Sequence, residues 1–310
     1  MLWITAAGLL FGSQFIFSKY CPGFGPGAYN VTMALGILAG SLAALPVLGF
    51  SGLPAELGLL AFVGGMVWVF GNYLLVRAVG DAGMARAFIV VNFTAVFSFL
   101  GGVVFLGELP EASVLRLGMV AAGIALVMGG AFLVSTTTPK RPALAPGESA
   151  QADDGRRMRR GLAAVFVATL FFSVYNVMVA FAINRSDAPA GPMFALIAPG
   201  AVTGALLVAL AAPGRALSHW RAAPGKWHLL ALCQGLVWAT AMVCIMFGWM
   251  GTGIAMGTPI QVGTQTLVSS LWGIIMFREL RGLENAKSAY AKFAAGAALT
   301  VTGISMIALL

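Results

Sequence analysis

Ten hydrophobic runs, each long enough to cross a bilayer, follow one another along this chain of 310 residues. They fall at about 2–20, 27–49, 56–79, 84–106, 113–134, 161–184, 190–212, 227–250, 253–277 and 287–310. A chain with this pattern has few choices. In lipid every backbone polar group must find its partner inside the segment, so such runs become helices. Hydrophobic residues make up 60% of the chain and charged residues 9%, far from the roughly 25% charge of a soluble domain. The expected fold class is an all-α polytopic membrane protein with ten transmembrane helices.

Most separators are short and rich in Gly, Pro and charge; the tightest, Gly251-Thr252-Gly253, divides an almost continuous apolar run. The longest, residues 135–160, is rich in Pro, Ser, Thr and charge and divides the runs five and five. Its composition reads as a flexible linker between a first unit, 1–134, and a second, 161–310. The N-terminus lacks a basic segment and a small-residue cleavage site, which reads as a retained helix.

The net charge of +8 does not point to nucleic acid, because the basic residues sit at the ends of apolar runs. All but Arg116 and Arg185 of the 18 Lys and Arg lie in, or next to, the connections that follow odd-numbered helices. The positive-inside rule then puts those connections and the 135–160 linker in the cytoplasm and both termini outside, with the inner or plasma membrane as the expected location.

The two groups of five echo each other. At an offset of 170, Leu59-Leu60-Ala61, Gly65 and Trp68 match Leu229-Leu230-Ala231, Gly235 and Trp238. At 171, Ser98, Leu100, Gly102 and Glu108 match Ser269, Leu271, Gly273 and Glu279. At 160, Leu10-Phe11 and Ser13 match Leu170-Phe171 and Ser173. A repeat of five helices enters the membrane inverted in its second copy. Two inverted five-helix repeats are a common ground plan of secondary transporters, with substrate held near the midplane between them.

Three stretches carry a resemblance as well: LLFGSQFIFSKY at 9–20, GGMVWVFGN at 64–72 and SLWGIIMFRELRGLEN at 270–285. They resemble the glucose/ribose porter branch of the drug/metabolite transporter superfamily, nearest to transmembrane-protein-144-like carbohydrate transporters. The resemblance implies a ten-helix fold of inverted repeats around a central cavity, and movement of a carbohydrate or polyol, in some members coupled to protons.

A neutral sugar asks for amides and hydroxyls to hydrogen-bond its hydroxyls, and aromatic faces against its C–H surfaces. The midplane polar residues with that chemistry are Gln14, Asn72, Asn92, Tyr175, Asn176, Gln234, Gln261 and Gln265, with Trp68 and Trp238 as aromatic faces; the eight other than Asn72 and Gln234 are the expected site. Gln261 and Gln265 are four apart and share a helix face. Asn72 and Gln234 read as ties between helices, a common use of amides in membranes. Glu108 and Glu279 read as helix-end groups or as partners of Arg278. No Asp or Glu lies at mid-membrane, where proton relays usually sit, so facilitated diffusion stands beside symport. His219 and His228 stand apart from any ligand cluster, and no cofactor, metal, nucleophile–base pair or enzyme activity is expected. The expected partners are a small-molecule substrate of sugar chemistry and the lipid bilayer, with a homodimer compatible and nucleic acid not expected. An exporter of drugs or amphipathic metabolites, and a non-transporting membrane receptor, are the competing readings.

Overall fold

The computed structural model describes residues 1–21, 23–49, 52–82, 87, 90–109, 113–135, 148–185, 190–211, 215–276 and 286–309. The expectations placed on Arg86, Arg278, Glu279 and residues 136–147 lie outside the described residues. The rest is helical: α1 (Leu2–Ser13), α2 (Phe15–Lys19), α3 (Pro26–Leu48), α4 (Ala55–Ala82), α5 (Phe93–Phe105), α6 (Val114–Ser135), α7 (Glu148–Arg185), α8 (Ala190–Ala211), α9 (Arg215–Ala222), α10 (Gly225–Ile275) and α11 (Ala286–Ala308).

Seven helices among the described residues have the length and apolarity to cross a membrane. One of these, the 48-residue stretch Gly225–Trp272, would measure about 72 Å if straight, more than twice the roughly 30 Å of hydrocarbon. It crosses twice instead, because Gly253 leaves the helical region with φ 69° and ψ 173°. Only a residue without Cβ reaches that conformation cheaply. With α1–α2 and the shorter α5, the two arms of α10 complete the ten segments expected. The protein is a multi-pass, all-helical membrane protein.

Two boundaries differ from the hydropathy reading. The first segment divides at Gln14 into α1 and α2, although Gln14 keeps a helical φ of −59° and ψ of −29° and its N–H still reaches the Leu10 carbonyl at 3.0 Å. Helix α7 begins at Glu148, ahead of the apolar window that opens at 161, so residues 148–160 continue a helix whose inner part the charged residues do not interrupt.

Small residues set the spacing of the bundle. α1 packs along α10, α4 against α7 and α8, α3 against α8 and α10, α5 against α7 and α10, and α6 against α11. At the α3–α10 contact, Gly36 faces the Leu232 backbone and Gly235 faces the backbone of Met33 and Ile37. At the α4–α8 contact, Gly65 faces the backbone of Ile197 and Ala201, and Gly200 faces that of Phe62. A Cβ on any of these glycines would overlap the neighbouring main chain, so the helices approach as only glycine permits. Gly101, Gly102 and Gly130 also stand against neighbouring helices, whereas Gly129 faces open space.

Candidate functional site

The centre of the bundle is a pair of indoles. Trp68 of α4 and Trp238 of α10 lie with ring centroids 4.3 Å apart and planes tilted by 46°, and both are buried. Phe11 of α1 closes edge-on over Trp238 at 6.2 Å. Helical spacing of four places Gly64 and Asn72 one turn either side of Trp68, and Gln234 and Met242 one turn either side of Trp238. The residues therefore fall into tiers.

On one side of the indoles, the Tyr175 hydroxyl donates to the Met242 sulfur at 3.0 Å, and its ring lies against Gly64. On the other side, Asn72 and Gln234 both point an amide N–H at the Met33 sulfur, at 3.9 and 3.5 Å. Asn72 also donates to the Asn30 carbonyl oxygen, and Tyr29 donates to that of Gln234. Asn30 in turn donates to the Pro26 carbonyl at 2.9 Å, one turn back on its own helix.

Beyond this tier an aromatic plug sits at the end of the bundle that carries Cys21 and Lys226. Phe24 meets Tyr29 at 5.8 Å, His228 at 5.1 Å and Trp227 at 6.1 Å. The Trp220 indole donates to Thr32 at 2.9 Å, while the His228 ring bridges Thr32 at 3.2 Å and the Trp220 carbonyl at 3.0 Å. The short helix α9 is thereby tied to α3 and to the first turn of α10.

The remaining expected residues stand in separate pairs. Gln261 donates to Gln265 at 2.6 Å along their shared face, on the arm of α10 that packs against Gly8 and Gly12 of α1. Asn92 accepts from Thr266 at 2.9 Å, joining α5 to α10. Asn176 donates to Ser98 at 3.0 Å, so the neighbours Tyr175 and Asn176 serve different helices. Gln14 is buried at the α1–α2 boundary, and its Oε1 has no hydrogen-bond partner among the described residues. Of the eight residues, Trp68 meets Trp238 and Gln261 meets Gln265.

Reading by residue type missed Tyr29, Asn30 and Met33. The signal was available only in part, since Tyr-Asn at a helix start reads as capping, not as depth. Asn72 and Gln234, read as ties between helices, do bridge helices, and they do so in the tier next to the indoles.

Glu108 caps a helix, though not its own. Its two carboxylate oxygens accept from the backbone N–H groups of Ile254 at 3.0 Å and Ala255 at 2.8 Å, at the start of the second arm of α10. Those donors have no intrahelical partner, and a carboxylate there also meets the positive end of the helix dipole. Among the described residues no group of three or more His, Cys, Asp or Glu could hold a metal ion.

Residues 218–310 match the transmembrane protein 144 family of transporters. A Dictyostelium discoideum protein, transmembrane protein 144 homolog B, is 35% identical over 73 residues, 23% of this chain and only 20% of that protein's length. A Listeria innocua protein, named as a proposed sugar uptake protein, is 25% identical over 223 residues, 71% of this chain and 69% of its own. A solved crystal structure superposes with a TM-score of 0.62 at 18% identity, covering 99% of this chain and 96% of that one, a likeness of fold.

Proposed function

We propose that this chain, which resembles transmembrane-protein-144-like transporters and is not an enzyme, is a secondary carrier for a small neutral carbohydrate or polyol. It works by alternating access between two inverted five-helix halves. The observation that carries the reading is the central pair, Trp68 and Trp238, with one indole from each half and hydrogen-bonding side chains in the tiers above and below. An aromatic face with amides and a phenol around it, in an otherwise apolar bundle, suits a sugar.

The inverted arrangement draws support from the glycine contacts. Adding 170 to a position in α4 gives its counterpart in α10, and adding 164 to one in α3 gives its counterpart in α8. Under those shifts the Gly65–Ile197 contact becomes Gly235–Met33, and the Gly200–Phe62 contact becomes Gly36–Leu232. The pairs exchange partners as a two-fold axis in the membrane plane requires. The set of packed helices also maps onto itself when the halves are exchanged: α3–α10 with α8–α4, and α1–α10 with α7–α4 and α7–α5.

In this reading the units are 1–134 and 161–310, the linker between them is cytoplasmic, both termini are outside, and the membrane is the plasma or inner membrane. The Phe24–His228 plug then closes the cytoplasmic side. The resemblance admits proton coupling, the lack of a mid-membrane carboxylate keeps facilitated diffusion beside it, and an imposed pH gradient decides between them.

The test is uptake of a panel of labelled sugars by the purified protein in liposomes. Saturable uptake of at least one neutral sugar is expected, with Gln265→Ala raising KM while leaving membrane insertion intact. No saturable sugar uptake, with movement of hydrophobic cations instead, would favour the exporter.

A further inference from the structure

We propose that Asn72 and Gln234, set in the tier next to the indoles, are the hydrogen-bonding floor of the carbohydrate site, and that the Met33 thioether holds the place of a sugar hydroxyl. The inference rests on the carbohydrate-carrier reading and names residues outside the eight that the sequence points to.

The argument starts from an imbalance. Asn72 comes from the first half and Gln234 from the second, and each is almost wholly buried, at 6% and 3% exposure. Each aims an amide N–H at one thioether sulfur, at 3.9 and 3.5 Å. Sulfur is a weak acceptor. A buried amide that has given up water normally takes a strong acceptor in return, since leaving a donor poorly paired is costly. The rest of the tier shows that strong pairing is within reach there, because Tyr29 satisfies the Gln234 carbonyl oxygen and Asn30 accepts from Asn72. What is under-used is the pair of N–H groups that converge from the two halves.

A sugar hydroxyl supplies what the sulfur does not. Its oxygen has two lone pairs and accepts from both amides, and its proton is free for a further acceptor. Met33 is suited to give way, being unbranched with three rotatable bonds. The indoles one turn away offer the apolar face that a sugar ring needs beside its hydroxyls, so both halves of sugar chemistry meet in two adjacent tiers.

The repeat sharpens this. The positions equivalent to Asn72 and Gln234 are Met242 and Gly64, which make up the tier on the other side of the indoles. Packing alone is met there by a thioether and a bare glycine under Tyr175. Amides at both counterpart positions depart from the symmetry on one side only. That marks the Asn72–Gln234 side as the polar floor and the Tyr175 side as its roof.

The experiment measures uptake kinetics of labelled sugars for the full chain in liposomes, with thermal unfolding in detergent as the folding control. Asn72→Leu and Gln234→Leu are each expected to raise KM about tenfold, the loss of one buried hydrogen bond to ligand, with kcat little changed. Met33→Leu keeps the volume, withdraws the competing sulfur, and is expected to hold or lower KM. If all three raise KM alike, the tier is only packing and the inference fails. Should either Leu variant fail to fold, Met33→Cys in a chain with Cys21, Cys233 and Cys244 changed to Ser gives the second reading. The transported sugar is expected to slow its modification by a small thiol reagent, and no protection overturns the floor. A wild-type protein that takes up no sugar defeats the carbohydrate reading and this site together. Sugar uptake with KM of both amide variants within about twofold of wild type defeats the site alone.

Discussion

Trp68 and Trp238 touch at the centre of the bundle, their ring centroids 4.3 Å apart. Nothing the size of a sugar ring fits between planes that close, so the pair lies against a substrate or parts to admit one. The two duties of the ring, packing and recognition, separate by substitution. Trp238→Ala removes a side chain 2% exposed and wedged between Phe11 and Trp68, and is expected to cost about 3–5 kcal/mol, read as a lowered Tm in detergent. Trp238→Phe keeps an aromatic face and most of the volume. It is expected to hold the fold while raising KM for sugar, and an unchanged KM would leave the indole as packing alone.

Glu108 and Gly253 make the elbow of α10. The carboxylate that accepts from Ile254 and Ala255 occupies the space a Cβ on Gly253 would need. Glu108→Ala is expected to lose about 1–2 kcal/mol, the usual scale of a helix cap. Gly253→Ala is expected to lose at least as much, since φ of 69° with ψ of 173° is a region essentially reserved for glycine and costs another residue about 1–3 kcal/mol before any clash. Thermal unfolding reads both. Transport distinguishes the cap from a proton relay, because Glu108→Gln keeps an acceptor and forbids titration. Uptake under an imposed pH gradient should survive that change, and its abolition with the fold intact would make Glu108 the coupling group.

Gly65 and Gly235 test the inverted repeat directly. Each faces the main chain of a helix in the other half, Gly65 at Ile197 and Gly235 at Met33. A methyl at either site forces the helices apart, at a cost of about 1–3 kcal/mol for an overpacked contact. Gly65→Ala and Gly235→Ala should therefore lower Tm by similar amounts, whereas Gly129→Ala, which meets nothing within 4 Å, should not. A large loss at one of the pair and none at the other would speak against equivalent halves.

How much of this was legible from residue types varies with the physics behind each feature. The break of α10 announced itself in Gly251-Thr252-Gly253, because glycine at a helix boundary is a local backbone property. The Trp68–Trp238 pair was legible through its offset of 170, since tryptophans are rare enough to align. The 164 offset between α3 and α8 was not read. It rests on Gly27, Gly36 and Gly40 against Gly191, Gly200 and Gly204, and glycines of that density occur in many membrane helices. Asn72 and Gln234 were legible as midplane amides, but the tier they form with Tyr29 and Asn30 was not: its members lie on three helices, and only tertiary packing turns isolated amides into one layer.

Cys21 offers a reporter of the plugged end. It is buried between α2 and α3, with its thiol directed to the carbonyls of Phe17 at 3.5 Å and Trp227 at 3.9 Å. Burial pushes its pKa above the ordinary thiol value, and Lys226 offsets part of that rise. Since the thiolate is the nucleophile, a raised pKa means less thiolate at any pH below it, so alkylation in the closed state should be slow and should accelerate only at higher pH than for a free thiol. Separating Phe24 from Trp227 and His228 exposes the thiol to water, lowers its pKa and adds access, and both changes quicken the reaction. Mass spectrometry of the alkylated protein, with and without a transported sugar, reads the change at Cys21 alone. Rapid labelling at neutral pH without sugar, as fast as in the unfolded chain, would show that the aromatic plug does not close this end.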